Sequence, residues 1–240
     1  MRSSYQRVTF SFGGPLTTAV KALLVATVAV FFCQALSRRL FDFGLEPVLG
    51  LVPFLVFHKG FVWQIVTYLF LHAGLFHAVF NLLALWMFGC ELERIWGTRF
   101  FAKYFFVCGI AAGLSAALIT PNSPIPTIGA SGAIYGILLA YGLLFPDRQI
   151  MLWFLFPMKA KHFVVLIGLL AFYFSITSSA SGISHVAHLG GLLAGYLYLR
   201  GWGLFRRLHK GCLEWTSRRS KRRYRVVRGG KDADRGRPVN

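Results

Sequence analysis

The sequence predicts an all-α polytopic membrane protein, a bundle of six transmembrane helices with a partly embedded loop between the first two. Three observations predict it. The chain is 56% hydrophobic and only 14% charged, where a soluble domain is close to half apolar and about a quarter charged. Its apolar residues fall into blocks of membrane-spanning length, and its basic residues collect in alternate loops and at the C-terminal end. One core cannot hide so much apolar surface, so lipid must be the solvent for most of it.

A helix needs about 20 residues to cross a hydrocarbon core about 30 Å thick. Six segments are expected to do so: 16–36, 75–91, 101–119, 129–145, 162–179 and 186–203. The first ends at Ser37-Arg38-Arg39 with no small-residue cleavage site, so a retained helix is expected rather than a signal peptide. Residues 37–74 hold Pro47, Pro53 and many aromatics but no clean span. That stretch is too apolar for an aqueous loop and fits an interfacial element. The second and fourth helices are short. Pro146 ends the fourth, and Pro121, Pro124 and Pro126 mark the loop before it. The expected organisation is a cytoplasmic segment over 1–15, a membrane domain over 16–203 and a basic cytoplasmic tail over 204–240.

Charge sets the orientation. Of 26 Lys and Arg, 13 lie after Leu204, against three acids there. The run from Arg218 to Arg225 reads as a cytoplasmic anchor against anionic lipid in preference to a nucleic-acid site. Arg94, Arg99 and Lys103 follow the second helix, and Arg148, Lys159 and Lys161 follow the fourth. The loops at 120–128 and 180–185 carry no charge, although 37–74 has Arg38, Arg39 and Lys59. Both termini are therefore expected in the cytoplasm, and helices two, four and six run from outside to inside. That places His77 and Asn81, Ser131, and His185 and His188 at one depth in the outer half of the membrane. Scattered structural polar residues have no reason to share a level.

Ser131 is flanked by Gly129, Ala130, Gly132 and Ala133. Small neighbours suit close helix packing, and they equally leave a hydroxyl reachable. A helix N-terminus also offers N–H groups and the positive dipole end to a developing oxyanion. His188 is followed by Gly191 and Gly195 on its own helix face, and Gly132 and Gly136 share that spacing. Docking the two glycine faces would bring Ser131 to His188, the minimal pair for acyl transfer. A core histidine bonded to a carbonyl is the competing reading, but histidine in lipid is rare enough to favour function. His77 and Asn81 are four apart, hence on one helix face, and both can donate to an oxyanion or merely tie helices together. His72 reads as structural and His185 as a bystander nearer water.

None of the eight acids lies in the outer part of helices two, four or six, so the chemistry would run as a dyad. Tyr135, one turn after Ser131, could orient the imidazole in place of an acid. A metal site of His72, His77, His185 and His188 is the competing enzyme reading. It lacks His-Glu-x-x-His spacing, an acid and paired cysteines. No metal or cofactor is expected, and the four cysteines read as small apolar packers.

These motifs resemble the rhomboid family of intramembrane serine proteases. The resemblance covers residues 60–200. It rests on His72-x4-His77-x3-Asn81, Gly129-Ala130-Ser131-Gly132, and Ala187-His188-Leu189-Gly190-Gly191-x3-Gly195. It implies Ser131 as nucleophile, His188 as general base, and His77 and Asn81 as oxyanion donors. Tyr135, Gly129, Gly132, Gly191 and Gly195 would support them. It implies transmembrane protein substrates that enter sideways, and a lateral loop over 37–74. Rhomboids often carry Trp-Arg in that loop, where this chain has Trp63-Gln64. Glu93 through Gly97 resembles the structural Glu-x3-Gly segment. The expected location is a bacterial inner (plasma) membrane. The alternatives are an inactive rhomboid-like binder of membrane helices, which typically lacks the nucleophile or base, and a small transporter, which needs polar residues through the full depth.

Overall fold

A computed structural model of the chain describes residues 14–152, 156–177 and 185–203. The chain divides into two units, Met1–Leu199 and Arg200–Asn240. Of the second, residues 200–203 are described and are helical. The tail expected over 204–240, most of the N-terminal segment, and the uncharged loop before His185 lie outside the described residues.

Helix α1 (Thr18–Phe41) starts with its backbone N–H groups unsatisfied, as any helix does. Here the partner is the buried Glu93 carboxylate. It accepts from Ala19 N at 2.9 Å, Val20 N at 3.0 Å, the Thr17 hydroxyl, and the Thr98 hydroxyl at 2.8 Å. A negative charge at a helix N-terminus also meets the positive end of the dipole. α1 stops at Asp42, which takes the left-handed conformation at φ 49°.

The connection that follows holds three short helices, α2 (Glu46–Leu49), α3 (Pro53–Lys59) and α4 (Gln64–Thr67), then a 3-10 turn over Tyr68–Phe70. Pro47 and Pro53 start helices, where a missing N–H is harmless. Val52, Val56, Tyr68 and Leu69 are buried, while Phe54, Phe57, Val62 and Trp63 are exposed. Such a half-buried apolar element suits a membrane interface. Gln64 is fully buried at its centre. Its Oε1 accepts from Val52 N at 3.0 Å, and its Nε2 donates to Pro47 O at 2.9 Å. Backbone bonds between Leu51 and Thr127, and from Gly129 N to Tyr68 O at 2.9 Å, latch the connection to the loop before the central helix.

The second long span runs through α5 (Leu75–Ala84), a π-helical stretch (Leu85–Gly89) and α6 (Cys90–Trp96). The segment expected over 75–91 is longer in the structure and runs to Trp96. The helix continues because each acid has a partner, Glu91 with Arg148 and Glu93 with the start of α1. α7 (Thr98–Ile119) packs against α8 (Ser131–Leu144). The Tyr104 hydroxyl donates to Gly136 O at 2.7 Å, and that of Tyr68 to Gly109 O at 2.6 Å. Gly132, Ala133, Ile134, Gly136, Ile137 and Ala140 of α8 are all buried. A helix that is apolar all round belongs in the middle of the bundle.

Strands β1 (Gln149–Leu152) and β2 (Phe156–Lys159) then form an antiparallel hairpin with Gln149 opposite Lys159. The sequence reading contained no strand. Prolines at 146 and 157 bar a helix here, and pairing satisfies the backbone instead. Beside the hairpin, Asp147 accepts from Lys161 at 2.8 Å and Lys159 at 3.3 Å. These two ammonium groups hold its carboxyl below the usual range.

Helix α9 (Ala160–Thr177) and helix α10 (residues 185–203) complete the described chain. Four of the described helical spans are long and apolar enough to cross a membrane: Thr18–Phe41, Leu75–Trp96, Thr98–Ile119 and Ala160–Thr177. The fold is thus an all-α polytopic bundle, with membrane-crossing length demonstrated for four of the six expected helices. α8 is the informative exception. Its 14 residues rise about 21 Å at 1.5 Å each. Exposed apolar side chains such as Phe32, Leu36, Phe76, Phe80, Leu169 and Phe172 line the outside, as lipid contact requires.

Candidate active site

The site forms where the N-terminal ends of α5, α8 and α10 meet. Ser131 is the first residue of α8, and His188 sits in the first turn of α10. The Ser131 Oγ and His188 Nε2 lie 2.7 Å apart. The two residues are 57 apart in sequence, and backbone-to-backbone packing joins them. A Cβ on Gly191 would lie 2.8 Å from the Gly132 carbonyl carbon and 3.3 Å from its Cα. A Cβ on Gly195 would lie 3.3 Å from the Gly136 Cα. Any side chain at these positions would hold α8 and α10 apart.

Neighbours set the orientation of His188. Tyr135 stacks on its ring with centroids 4.2 Å apart and planes 4° apart. His185 meets the His188 ring edge-on at 5.9 Å and itself stacks on Phe174 of α9 at 5.2 Å. The His188 Nδ1 is buried and has no hydrogen-bond partner among the described residues. In the tautomer whose Nε2 accepts from the serine hydroxyl, Nδ1 carries the ring hydrogen.

His77 approaches from α5. Its ring lies over Gly129, two residues before Ser131: a Cβ there would lie 2.8 Å from His77 Cε1 and 3.0 Å from Nε2. Gly129 also has φ 118°, which L side chains rarely adopt. Glycine is needed at this position on both grounds. The Ala73 N–H donates to His77 Nδ1 at 3.4 Å. An Nδ1 that accepts leaves the hydrogen on Nε2, the nitrogen over Gly129. Asn81 is buried one turn on, and its Nδ2 donates to His77 O at 2.7 Å. An amide nitrogen carries two hydrogens, so this bond leaves one for another acceptor. His72 is buried and meets the His77 ring edge-to-face at 5.0 Å.

Four of the five described carboxylates are engaged elsewhere: Glu46 with Arg38, Glu91 with Arg148, Glu93 at the start of α1, and Asp147 with two lysines; the fifth, Asp42, is exposed at the end of α1. Among the described residues, no group of three or more His, Cys, Asp or Glu side chains converges to hold a metal ion. The arrangement offers a hydroxyl within hydrogen-bond distance of an imidazole nitrogen, with N–H groups of α5 and of the start of α8 close by.

The rhomboid domain model matches residues 59–207, more than half of the chain. The chain belongs to the rhomboid family. It is 34% identical over 146 residues to the Rhomboid protease GluP of Bacillus subtilis (strain 168), covering 61% of this chain and 27% of that protein. It is 30% identical over 174 residues to the mitochondrial Rhomboid protein 1 of Saccharomyces cerevisiae, covering 67% and 48%. It is 29% identical over 197 residues to the Rhomboid protease GlpG of Pectobacterium atrosepticum, covering 82% and 66%. The chain thus spans less than half the length of the first two. Rhomboids are integral multi-pass membrane proteins, generally intramembrane serine proteases that act on membrane-protein substrates within the bilayer.

Sequence reasoning missed two buried amides in this rhomboid, Gln34 and Gln64, both satisfied by backbone partners. Gln34 had a readable signal. It is the lone amide in a mostly apolar helix, an expensive residue without a partner. Gln64 stands where many rhomboids carry arginine, and its amide bonds organise the loop without a charge.

Proposed function

We propose that this rhomboid is an intramembrane serine endopeptidase in which Ser131 is the nucleophile and His188 the general base. The observation that carries the reading is the 2.7 Å contact between Ser131 Oγ and His188 Nε2 at the start of α8. Ser131 Oγ attacks the carbonyl carbon of a peptide bond in or near a substrate's transmembrane segment, and its proton passes to His188 Nε2. The tetrahedral oxyanion takes hydrogen bonds from His77 Nε2–H, the Asn81 amide and N–H groups at the start of α8. The intermediate collapses, the C–N bond breaks, and His188 returns the proton to the leaving amine. Water, deprotonated by His188, then hydrolyses the Ser131 ester. Stacking on Tyr135 holds the imidazole in plane and stabilises the imidazolium, the work an acid does in a triad.

The short central helix supports access to water. If α8 ends at the cytoplasmic boundary, its rise of about 21 Å leaves Ser131 about 9 Å below the far side of a core about 30 Å thick. Gly129, Gly132, Gly191 and Gly195 are the backbone contacts that hold the pair together. The basic residues around the α6–α7 junction, after α8 and after residue 203 support a reading with both termini in the cytoplasm and the 204–240 tail against anionic lipid, and the membrane proposed is a bacterial inner membrane.

The test is cleavage of a transmembrane fusion substrate in proteoliposomes, with fluorophosphonate labelling in parallel. Wild type should cut and be labelled. Ser131→Ala and His188→Ala should each lose several orders of magnitude in rate. Retained cleavage by Ser131→Ala would overturn the assignment.

A further inference from the structure

Gln34 lies near the outer end of α1, on a helix that otherwise offers lipid such side chains as Phe32 and Leu36. It is nonetheless buried, at 2% exposure. Its amide is matched to the backbone of His72 on both sides. Oε1 accepts from His72 N at 3.2 Å, and Nε2 donates to His72 O at 3.0 Å. The remaining Nε2 hydrogen goes to Glu46, which Arg38 neutralises. A structural amide needs only to be satisfied. This one grips a single residue as a neighbouring strand would.

The consequence follows from the covalent structure. The His72 carbonyl and the Ala73 N–H belong to one planar peptide group. Gln34 holds the oxygen end of that plane. The nitrogen end donates to His77 Nδ1 at 3.4 Å, the long end of hydrogen-bond range. A donor already at its limit depends on the plane staying where it is. A hydrogen bond to a peptide oxygen also polarises the N–H on the other side and strengthens its own bond. The edge contact of the His72 ring on His77 adds a second, steric constraint from the same residue.

We propose that Gln34 is a positioning residue for His77. By orienting the His72–Ala73 peptide it keeps His77 in the tautomer with hydrogen on Nε2, above Gly129 and beside Ser131. The proposal rests on the reading of His77 as an oxyanion donor. It adds that the first membrane helix, which contributes no group to the dyad, sets the proton inventory of the site through one amide.

The direct test is 15N NMR of the full-length protein in detergent or lipid, with histidines labelled and the His77 signal assigned by comparison with His77→Ala. Wild type should show His77 protonated at Nε2 and bare at Nδ1. Gln34→Met, close in shape but unable to bond, should shift His77 toward the other tautomer or a mixture. In cleavage assays Gln34→Met should lower kcat about tenfold, a part of the about hundredfold loss for removing an oxyanion donor outright, with KM nearly unchanged. In a His77→Ala background, Gln34→Met should have no further effect on kcat. A wild-type His77 with its hydrogen on Nδ1 overturns the proposal, and that measurement needs no variant to fold. An unchanged tautomer in folded Gln34→Met, or losses that add in full in the double variant, overturn it as well. If His77→Ala itself leaves kcat at the wild-type value, the oxyanion reading fails first. In that case a Gln34→Met shift of the His77 tautomer without any change in rate would still support Gln34 as the positioning residue for His77, and only the oxyanion role of His77 would fall.

Discussion

Gly191→Ala tests the physical basis of the site. The added methyl would lie 2.8 Å from the Gly132 carbonyl carbon and 3.3 Å from its Cα, with the carbonyl oxygen nearer still. Carbon atoms rest at about 3.5–4.0 Å. These are backbone atoms near the N-terminal ends of two packed helices, so no side chain can swing aside. α8 and α10 must part by about 1 Å to relieve the overlap. Overpacking of this kind costs about 1–3 kcal/mol. The same movement acts on the Ser131–His188 contact of 2.7 Å. Lengthened by about 1 Å, it leaves hydrogen-bond range. A misplacement of that size at a reacting pair lowers rate about a hundredfold. The assay is cleavage of a transmembrane substrate in proteoliposomes, read beside fluorophosphonate labelling and thermal stability in detergent. The control is Gly168→Ala on α9, where a Cβ would meet only Leu192 Cδ1 at 3.7 Å. There alanine should hold or raise stability, since a mid-helix glycine is worse by about 0.5–1 kcal/mol. A Gly191→Ala protein with wild-type stability, labelling and turnover would refute the argument that glycine contact assembles the pair.

Three further predictions rest on other contacts. His77→Ala and Asn81→Ala should each lower kcat about a hundredfold. Loss of a packing hydrogen bond alone would instead remove nearer 0.6 kcal/mol of stability, so kcat and melting measured on the same samples separate the roles. Tyr135→Phe keeps the ring and should keep activity, whereas Tyr135→Ala loses a stack worth about 0.5–1.5 kcal/mol and should show a clear drop in labelling rate at an unchanged serine. Glu93→Ala strips four hydrogen-bond donors of their acceptor, at about 1–3 kcal/mol for each buried group left unsatisfied. Its melting temperature should fall markedly, and a Glu93→Ala protein as stable as wild type would show that the start of α1 needs no cap.

The sequence by itself determined the solvent, the class and the candidate chemistry. Low charge and blocks of apolar residues require lipid, and backbone groups in lipid must bond internally, so the spans had to be helices. Ser131, His188, His77 and Asn81 were visible because a polar group at membrane depth is costly and therefore rare. The glycine spacings at 132 and 136, and at 191 and 195, were legible for the converse reason, since missing side chains mark where another backbone can come. Tertiary structure alone decided what each buried polar group bonds to. Glu93 reads from the sequence only as part of a Glu-x3-Gly segment, yet it caps α1, 74 residues away from Ala19. Asn81 looked like a free donor, yet one of its hydrogens is spent on the His77 carbonyl. The tautomer of His77 depends on the Ala73 N–H, and the position of that N–H depends on Gln34, 38 residues before His72. Local pattern reports which residues are out of place in lipid. Hydrogen bonds are directional and short, so their partners are known only once the helices have packed.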